Sequence, residues 1–213
     1  MSSRPAPRGA LIVLEGLDRS GKSTQCSLLA SSLSSSGTPS ELWRFPDRGT
    51  AIGQMIDAYL ASRGPDLSDA AVHLLFSANR WEKAAALEAK LAEGTTLVVD
   101  RYAFSGVAFT AAKKVPGLGL EWCKAPDAGL PAPDAVMLLA VTPEVAAARG
   151  GYGAERYERK EIQEEVARQV IPGERVGCGY GRVCRGIRSI ERQIESGSLT
   201  PHPFPLLPPH LLS

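Results

Sequence analysis

The residues best suited to chemistry lie near the start of the chain, from Gly16 to Ser23. This segment reads GLDRSGKS and fits the pattern Gly-x-x-x-x-Gly-Lys-Ser/Thr, in which tightly folded backbone turns its N–H groups towards phosphate oxygens. Lys22 would reach the β- and γ-phosphates of a nucleotide, and the Ser23 hydroxyl would bind Mg²⁺. The pattern therefore predicts a phosphate-binding loop.

A second candidate, Asp100, ends the apolar run TTLVVD at residues 95–100. In phosphate-loop proteins a carboxylate at the end of a neighbouring strand lies close to the magnesium ion. We therefore predict that Asp100 and Ser23 together hold Mg²⁺. The alternative is an ordinary strand ending, since many strands end in aspartate.

The elements that must position these residues follow from the apolar pattern. The continuous apolar run at residues 10–14 predicts a strand buried on both faces, and a helical pattern starts near Lys22. The positive end of that helix would lie at the loop. Alternating strands and helices predict an α/β fold with a parallel sheet. Further strands are predicted at residues 41–46, 95–100 and 135–141, with helices at 50–61, 68–82, 83–93, 103–112, 142–149 and 159–170.

Composition limits the class of protein. The 213 residues include 24 Lys and Arg against 23 Asp and Glu, and 44% are hydrophobic. This excludes disorder of the whole chain and gives no broad basic field for nucleic acid. No apolar run approaches the roughly 20 residues that span a bilayer, and residues 1–9 lack a signal-peptide core. The four scattered cysteines predict free thiols. We expect a cytoplasmic protein, with nuclear or mitochondrial pools as alternatives.

Several classes of phosphate-loop protein are also excluded. A GTPase needs an Asn-Lys-x-Asp loop, but the single asparagine, Asn79, lies in a predicted helix. The signature motifs of protein kinases are absent. A small kinase that moves phosphate between ATP and a small molecule remains. Its two phosphorylated ligands would need several arginines, and the candidates at strand ends and loops are Arg19, Arg48, Arg80, Arg101, Arg149 and Arg156.

Six segments, taken in order, resemble the thymidylate kinase family. They read LEGLDRSGKSTQ at 14–25, RFPDR at 44–48, HLLFSANRWE at 73–82, DRYAFSGVAF at 100–109, LPAPD at 130–134 and ERYE at 155–158. The resemblance implies a nucleoside monophosphate kinase fold and transfer of the ATP γ-phosphoryl group to dTMP, with Mg²⁺. Arg19, inside the loop, resembles the eukaryotic-type enzymes. The family also implies a homodimer, for which the helix starting at Ser68 is the candidate interface.

The resemblance implies a role for each candidate residue. Phe76 would stack on thymine, Arg80 would donate to a thymine carbonyl, and Ser105 and Gly106 would line the base edge. Phe109 would favour deoxyribose, and Asp18 would accept from the 3′-hydroxyl. Arg48 and Arg101 would hold the monophosphate, and Arg19 would approach the transferring phosphoryl group. Tyr157 would close over the nucleotide, and Phe45 would also bind the substrate. The ATP-binding set would be Gly16, Leu17, Asp18, Arg19, Ser20, Gly21, Lys22, Ser23, Thr24 and Arg149, with a lid at about residues 149–158.

The family pattern stops near residue 170. We therefore predict a kinase domain at residues 1–171 and an irregular Pro- and Gly-rich tail at 172–213, without the last strand and C-terminal helix of the family. An uncovered sheet edge would lower stability and weaken ATP binding. Two alternatives stay open. One is another nucleoside monophosphate kinase, and the other is a catalytically impaired nucleotide-binding product of altered splicing or a gene-model error.

Overall fold

Five parallel strands in the order β2-β3-β1-β4-β5 form the centre of the protein. The computed structural model describes residues 8–62, 66–141, 145–146, 155–157, 160–170 and 182–184. The strands are β1 (Leu11–Gly16), β2 (Ser40–Arg44), β3 (Thr96–Asp100), β4 (Ala135–Leu139) and β5 (Arg182–Cys184). The helices are α1 (Lys22–Ser35), α2 (Ala51–Leu60), α3 (Asp69–Ala92), α4 (Ala103–Ala111), α5 (Leu120–Lys124) and α6 (Lys160–Val170), with a 3-10 turn at Ala125–Asp127.

Alternate residues of β1 pack against helices on opposite faces of the sheet. Leu11 and Val13 belong to an apolar cluster with Leu87 of α3, whereas Ile12 and Leu14 pack with Leu29 of α1. Each of these side chains is at most 1% exposed. A strand buried on both faces must be apolar throughout, which explains the continuous run read from the sequence. The predicted α/β fold with a parallel sheet is confirmed.

The sheet places the two predicted magnesium ligands at the same edge. β1 and β3 are neighbours, with Leu14 opposite Asp100. Because both strands point the same way, the phosphate loop after β1 and the carboxylate that ends β3 meet at their carboxyl ends. The backbone topology alone, with β1 next to β3, therefore brings the phosphate loop and Asp100 together.

Two sequence expectations about elements were wrong. The helices expected at 68–82 and 83–93 are one continuous helix, α3, of 24 residues, because no glycine or proline interrupts residues 69–92 and every residue there tolerates helix. The last strand was expected to be missing, but Arg182–Cys184 pairs with β4 at Ala135–Met137. Three residues are too few for an alternating pattern to indicate, and the backbone edge of β4 supplies the partners.

The other parts of the C-terminal prediction lie outside the described residues. So do most of the predicted lid and most of the helix expected at 142–149, of which only residues 145–146 are described. The helix α5 was not predicted, because five residues show no helical period. Within the described ranges, no helix combines the length and the hydropathy needed to cross a bilayer.

Candidate active site

The phosphate loop connects the end of β1 to the start of α1. Gly21, the residue before α1, has φ 96° and ψ 11°, a left-handed conformation that glycine adopts without steric cost. The backbone can therefore turn directly into the helix at Lys22. The first turn of a helix carries unpaired N–H groups and the positive end of the dipole, so this junction favours a bound anion.

Lys22 is buried inside this loop. Its Nζ donates to the carbonyl of Leu17 at 2.5 Å and to Ser20 Oγ at 3.4 Å. Burial, followed by repulsion from Arg101, lowers the pKa of Lys22 to about 8. The amine is still largely protonated at neutral pH. It is a buried cation, weakly solvated, in the place where the motif predicts phosphate.

Ser23 and Asp100 lie side by side, as a shared magnesium site requires. Ser23 Oγ donates to Asp100 Oδ2 at 2.6 Å, and Arg44 donates to the same two oxygens at 2.6 and 3.1 Å. Asp100 Oδ1 is buried and has no hydrogen-bond partner in the described part of the chain. A buried carboxylate oxygen with unused acceptor capacity, next to a hydroxyl, fits the oxygen ligands that Mg²⁺ prefers.

Asp18 is held by a glutamine from α6. The backbone N–H of Asp18 donates to Gln163 Oε1 at 3.1 Å, and Gln163 Nε2 donates to Asp18 Oδ2 at 2.7 Å. The same Nε2 donates to the carbonyl of Tyr157 at 2.9 Å. Gln163 is 1% exposed, so one buried amide connects the phosphate loop to Tyr157, near the end of the predicted lid.

Arg101 is fixed against the other side of Asp18. Its guanidinium forms an ion pair with Asp18 and donates to Gly16 O at 3.1 Å and to Ser105 Oγ at 2.9 Å. Burial lowers the pKa of Arg101, but the nearby carboxylates, led by Asp18 and then Glu15, more than reverse this and raise it. The guanidinium is therefore a permanent, oriented cation at the carboxyl end of the sheet.

Glu15 holds the start of α4 beside Arg101. One carboxylate oxygen accepts from the backbone N–H groups of Tyr102 and Ser105 at 2.9 and 3.2 Å, and the other accepts from Ser105 Oγ at 2.6 Å. Burial raises the pKa of Glu15, although Arg101 lowers it in part. Glu15 thus orders the start of α4, where Ser105 in turn contacts Arg101.

A single cavity of about 570 Å³ connects the phosphate loop to a pocket between α3 and α4. Phe76 and Arg80 contribute from α3, and Phe109 contributes from α4. Phe109 lies 5.4 Å from the Arg101 guanidinium and 5.6 Å from the Tyr157 ring. The pocket therefore combines aromatic faces with cationic groups, which suits a planar, negatively charged ligand.

Arg48 borders the same cavity between two carboxylates. It donates to Asp57 of α2 at 2.7 Å and to Glu155 at 2.7 Å. The three described residues of the predicted lid are anchored nearby: Arg156 pairs with Asp66 at 2.8 Å, and the Tyr157 hydroxyl accepts from Lys113 at 2.9 Å. These contacts hold residues 155–157 against α2, against the segment before α3 and against the segment after α4.

The structure brings the ten predicted substrate-binding residues together, because all of them line the cavity. They are Asp18, Phe45, Arg48, Phe76, Arg80, Arg101, Ser105, Gly106, Phe109 and Tyr157. In the phosphate loop, Asp18, Arg19, Gly21, Lys22, Ser23 and Thr24 also line it. Gly16, Leu17 and Ser20 do not, and they shape the turn instead. Arg149 lies outside the described residues. The individual roles stay predictions.

Sequence reasoning missed three buried residues that hold this site: Glu15, Gln163 and Asp127. Asp127 accepts from Arg80 Nε at 3.0 Å and from Arg80 Nη2 at 2.6 Å. No local pattern marks these residues, because the side chains that they hold in the site, Arg80, Ser105 and Asp18, are at least 47 positions away in the chain. Only Glu15 had a signal, since a charged residue inside an otherwise apolar strand needs a partner.

Comparison with known proteins agrees with this geometry. The family model described as thymidylate kinase matches residues 14–172. Thymidylate kinase of Arabidopsis thaliana is 65% identical over 161 residues, which is 76% of this chain and 60% of that protein. The human thymidylate kinase is 55% identical over 163 residues, which is 76% of each chain. The match thus spans less than two thirds of the Arabidopsis protein.

A solved structure of thymidylate kinase from Candida albicans superimposes with a TM-score of 0.77 at 36% identity, covering 91% of this chain and 94% of that one. Motif, site geometry and both kinds of comparison therefore agree: the chain belongs to the thymidylate kinase family.

Proposed function

We propose that this chain transfers the γ-phosphoryl group of ATP to dTMP, giving dTDP for the synthesis of dTTP. The observation that carries this proposal is the continuity of the cavity. One space of about 570 Å³ is bordered both by the phosphate loop and by the aromatic pocket of α3 and α4. Two phosphorylated ligands can approach each other there, which direct transfer requires.

The donor side is the phosphate loop. Lys22 and the first turn of α1 would bind the β- and γ-phosphates, and Arg19 would approach the phosphoryl group in transfer. Ser23 and Asp100 would hold Mg²⁺, which would neutralise charge on the phosphates. Phosphoryl transfer needs little covalent help, so these residues act by orienting the phosphates and balancing their charge.

The acceptor side is the pocket between α3 and α4. Phe76 would stack on the base, and Arg80 would donate to a base carbonyl. Phe109 would lie beside the sugar and disfavour a 2′-hydroxyl. Asp18, already oriented by Arg101 and Gln163, would accept from the 3′-hydroxyl. Arg48 and Arg101 would hold the monophosphate, with Arg48 exchanging a carboxylate partner for the phosphate.

The test is a coupled assay of the purified 213-residue chain with ATP and Mg²⁺ and with dTMP, dUMP, AMP, CMP or GMP as acceptor. We expect turnover with dTMP at the highest kcat/KM. Lys22→Ala should abolish it, whereas Lys90→Ala, an exposed lysine paired with Glu41, should not. Faster turnover of another monophosphate would instead assign a different kinase. Binding of dTMP without any turnover would assign an impaired nucleotide-binding protein.

We also propose a homodimer that forms through α3 and a cytoplasmic location. Leu74 and Trp81 are 48% and 43% exposed and lie seven positions apart on α3, so two large apolar side chains share one face of this helix. An exposed apolar face suits an interface. Light scattering of the wild type should give twice the chain mass, and Leu74→Glu should give the chain mass. Imaging of a tagged full-length chain tests the location.

A further inference from the structure

A buried ion pair lies behind the base pocket. Asp127 accepts from Arg80 Nε at 3.0 Å and from Arg80 Nη2 at 2.6 Å, and both side chains are nearly inaccessible to solvent. A buried guanidinium is tolerated only when a partner balances its charge and orients its donors. Arg80 borders the cavity, whereas Asp127 is not among the residues that line it.

Asp127 is itself held rigidly. It ends the 3-10 turn Ala125–Asp127, which is attached to α3 by two further hydrogen bonds. Trp81 Nε1 donates to the carbonyl of Pro126 at 2.7 Å, and the Ser77 hydroxyl donates to Asp127 Oδ1 at 2.7 Å. Ser77 Oγ also lies 3.0 Å from the carbonyl oxygen of Pro126. The carboxylate therefore cannot move independently of the helix that carries Arg80.

This pairing decides what Arg80 presents to a ligand. Asp127 accepts hydrogen bonds from Nε and from one N–H of Nη2. The two N–H groups of Nη1 and the second N–H of Nη2 are the donors that remain for a ligand. Gly106 permits the guanidinium to approach α4: a Cβ at this position would lie 3.0 Å from Arg80 Nη2 and 3.4 Å from Nη1. A guanidinium has donors only. It can therefore pair with a base carbonyl but opposes an exocyclic amino group.

We infer that Asp127 is a positioning residue that gives the acceptor pocket its preference for 4-oxo over 4-amino pyrimidine monophosphates, by holding the Arg80 guanidinium in one orientation. The inference rests on the proposed function and deepens it. Without Asp127 the guanidinium would rotate towards other acceptors, and the fixed donor pattern would be lost. A buried polar site that pairs with one ligand rejects the mismatched ligand strongly.

The experiment compares Asp127→Asn with Asp134→Asn in the full-length chain. Asp134 forms a similar buried ion pair, with Arg8, at 2.7 Å, and it does not line the cavity. We expect Asp127→Asn to lower the ratio of kcat/KM for dTMP over dCMP at least tenfold, mainly through KM for dTMP. Asp134→Asn should lower the melting temperature but leave that ratio within twofold.

The inference would be overturned if the dTMP-to-dCMP ratio of kcat/KM in Asp127→Asn stayed within twofold of the wild-type ratio. It would also be overturned if this ratio fell equally in Asp134→Asn. Should Asp127→Asn fail to fold, Ser77→Ala decides, because it removes one donor to Asp127 and keeps the charges. We expect a two- to fivefold fall of the ratio, and an unchanged ratio would contradict the inference. If the wild type does not phosphorylate dTMP at all, the proposed function fails instead.

Discussion

Replacing Gln163 by glutamate removes the donor of two hydrogen bonds without changing the shape of the side chain. Gln163 Nε2 donates to Asp18 Oδ2 at 2.7 Å and to Tyr157 O at 2.9 Å. In Gln163→Glu an acceptor replaces this donor, so two carboxylates face each other. The backbone N–H of Asp18 keeps its partner, because the oxygen that accepts it at 3.1 Å is retained.

The expected magnitude follows from the separation of the charges. Two charges roughly 4 Å apart repel by about 4 kcal/mol at an effective dielectric constant of about 20. This corresponds to a rise of about three pKa units, from about 4.3 to about 7, for the new carboxyl. Its pKa is then higher in the folded than in the unfolded chain, so the folded state binds more protons and stability falls as pH rises from about 4 to about 7.

Thermal unfolding of the nucleotide-free protein measures this effect. The deficit in unfolding free energy should grow from roughly 1 kcal/mol at pH 5 to roughly 4 kcal/mol at pH 7.5. In a chain of this size it should lower the melting temperature by roughly 8–16 °C at pH 7.5. Gln163→Leu, which removes the hydrogen bonds but adds no charge, should show a deficit that does not change with pH. A deficit in Gln163→Glu that is equal at both pH values would refute the reasoning.

Three further predictions concern the cavity. The pKa of Lys22 is lowered to about 8, and bound phosphates would raise it again, so ATP binding at pH 8.5 should be accompanied by proton uptake. Calorimetry in two buffers of different ionisation enthalpy measures this uptake. The Lys22→Met variant should not show it. Asp100→Asn should raise the Mg²⁺ concentration for half-maximal rate at least tenfold, in a titration at fixed ATP. Gly106→Ala would place a methyl group 3.0 Å from Arg80 Nη2 and should raise KM for dTMP at least tenfold, while KM for ATP stays within twofold.

The parts of the site that depend on short sequence spacing could be predicted. The phosphate loop is encoded by residues within eight positions, and Asp100 is marked by the apolar strand that it ends. The α/β fold followed from the order of strands and helices. These features have local causes, namely glycine conformations and the burial of strands on both faces.

The residues that orient the site could not be predicted, because their partners are distant in the chain. Gln163 meets Asp18 only when α6 packs beside the phosphate loop, and Asp127 meets Arg80 only when a three-residue turn attaches to α3. Neither has a periodic signal. The strand Arg182–Cys184 was missed for a related reason: its backbone pairs with β4, and pairing of this kind depends on the neighbour rather than on the sequence of the strand.

The position of Arg48 between Asp57 and Glu155 means that the cleft contains its own counter-ions. An arginine kept for a phosphate would otherwise repel its neighbours in the ligand-free protein. If Arg48 holds the substrate phosphate as proposed, that phosphate competes with a carboxylate of the protein itself, and binding exchanges one anion for another instead of neutralising an unpaired charge. Substrate binding and loss of the Arg48–Glu155 ion pair would then be coupled.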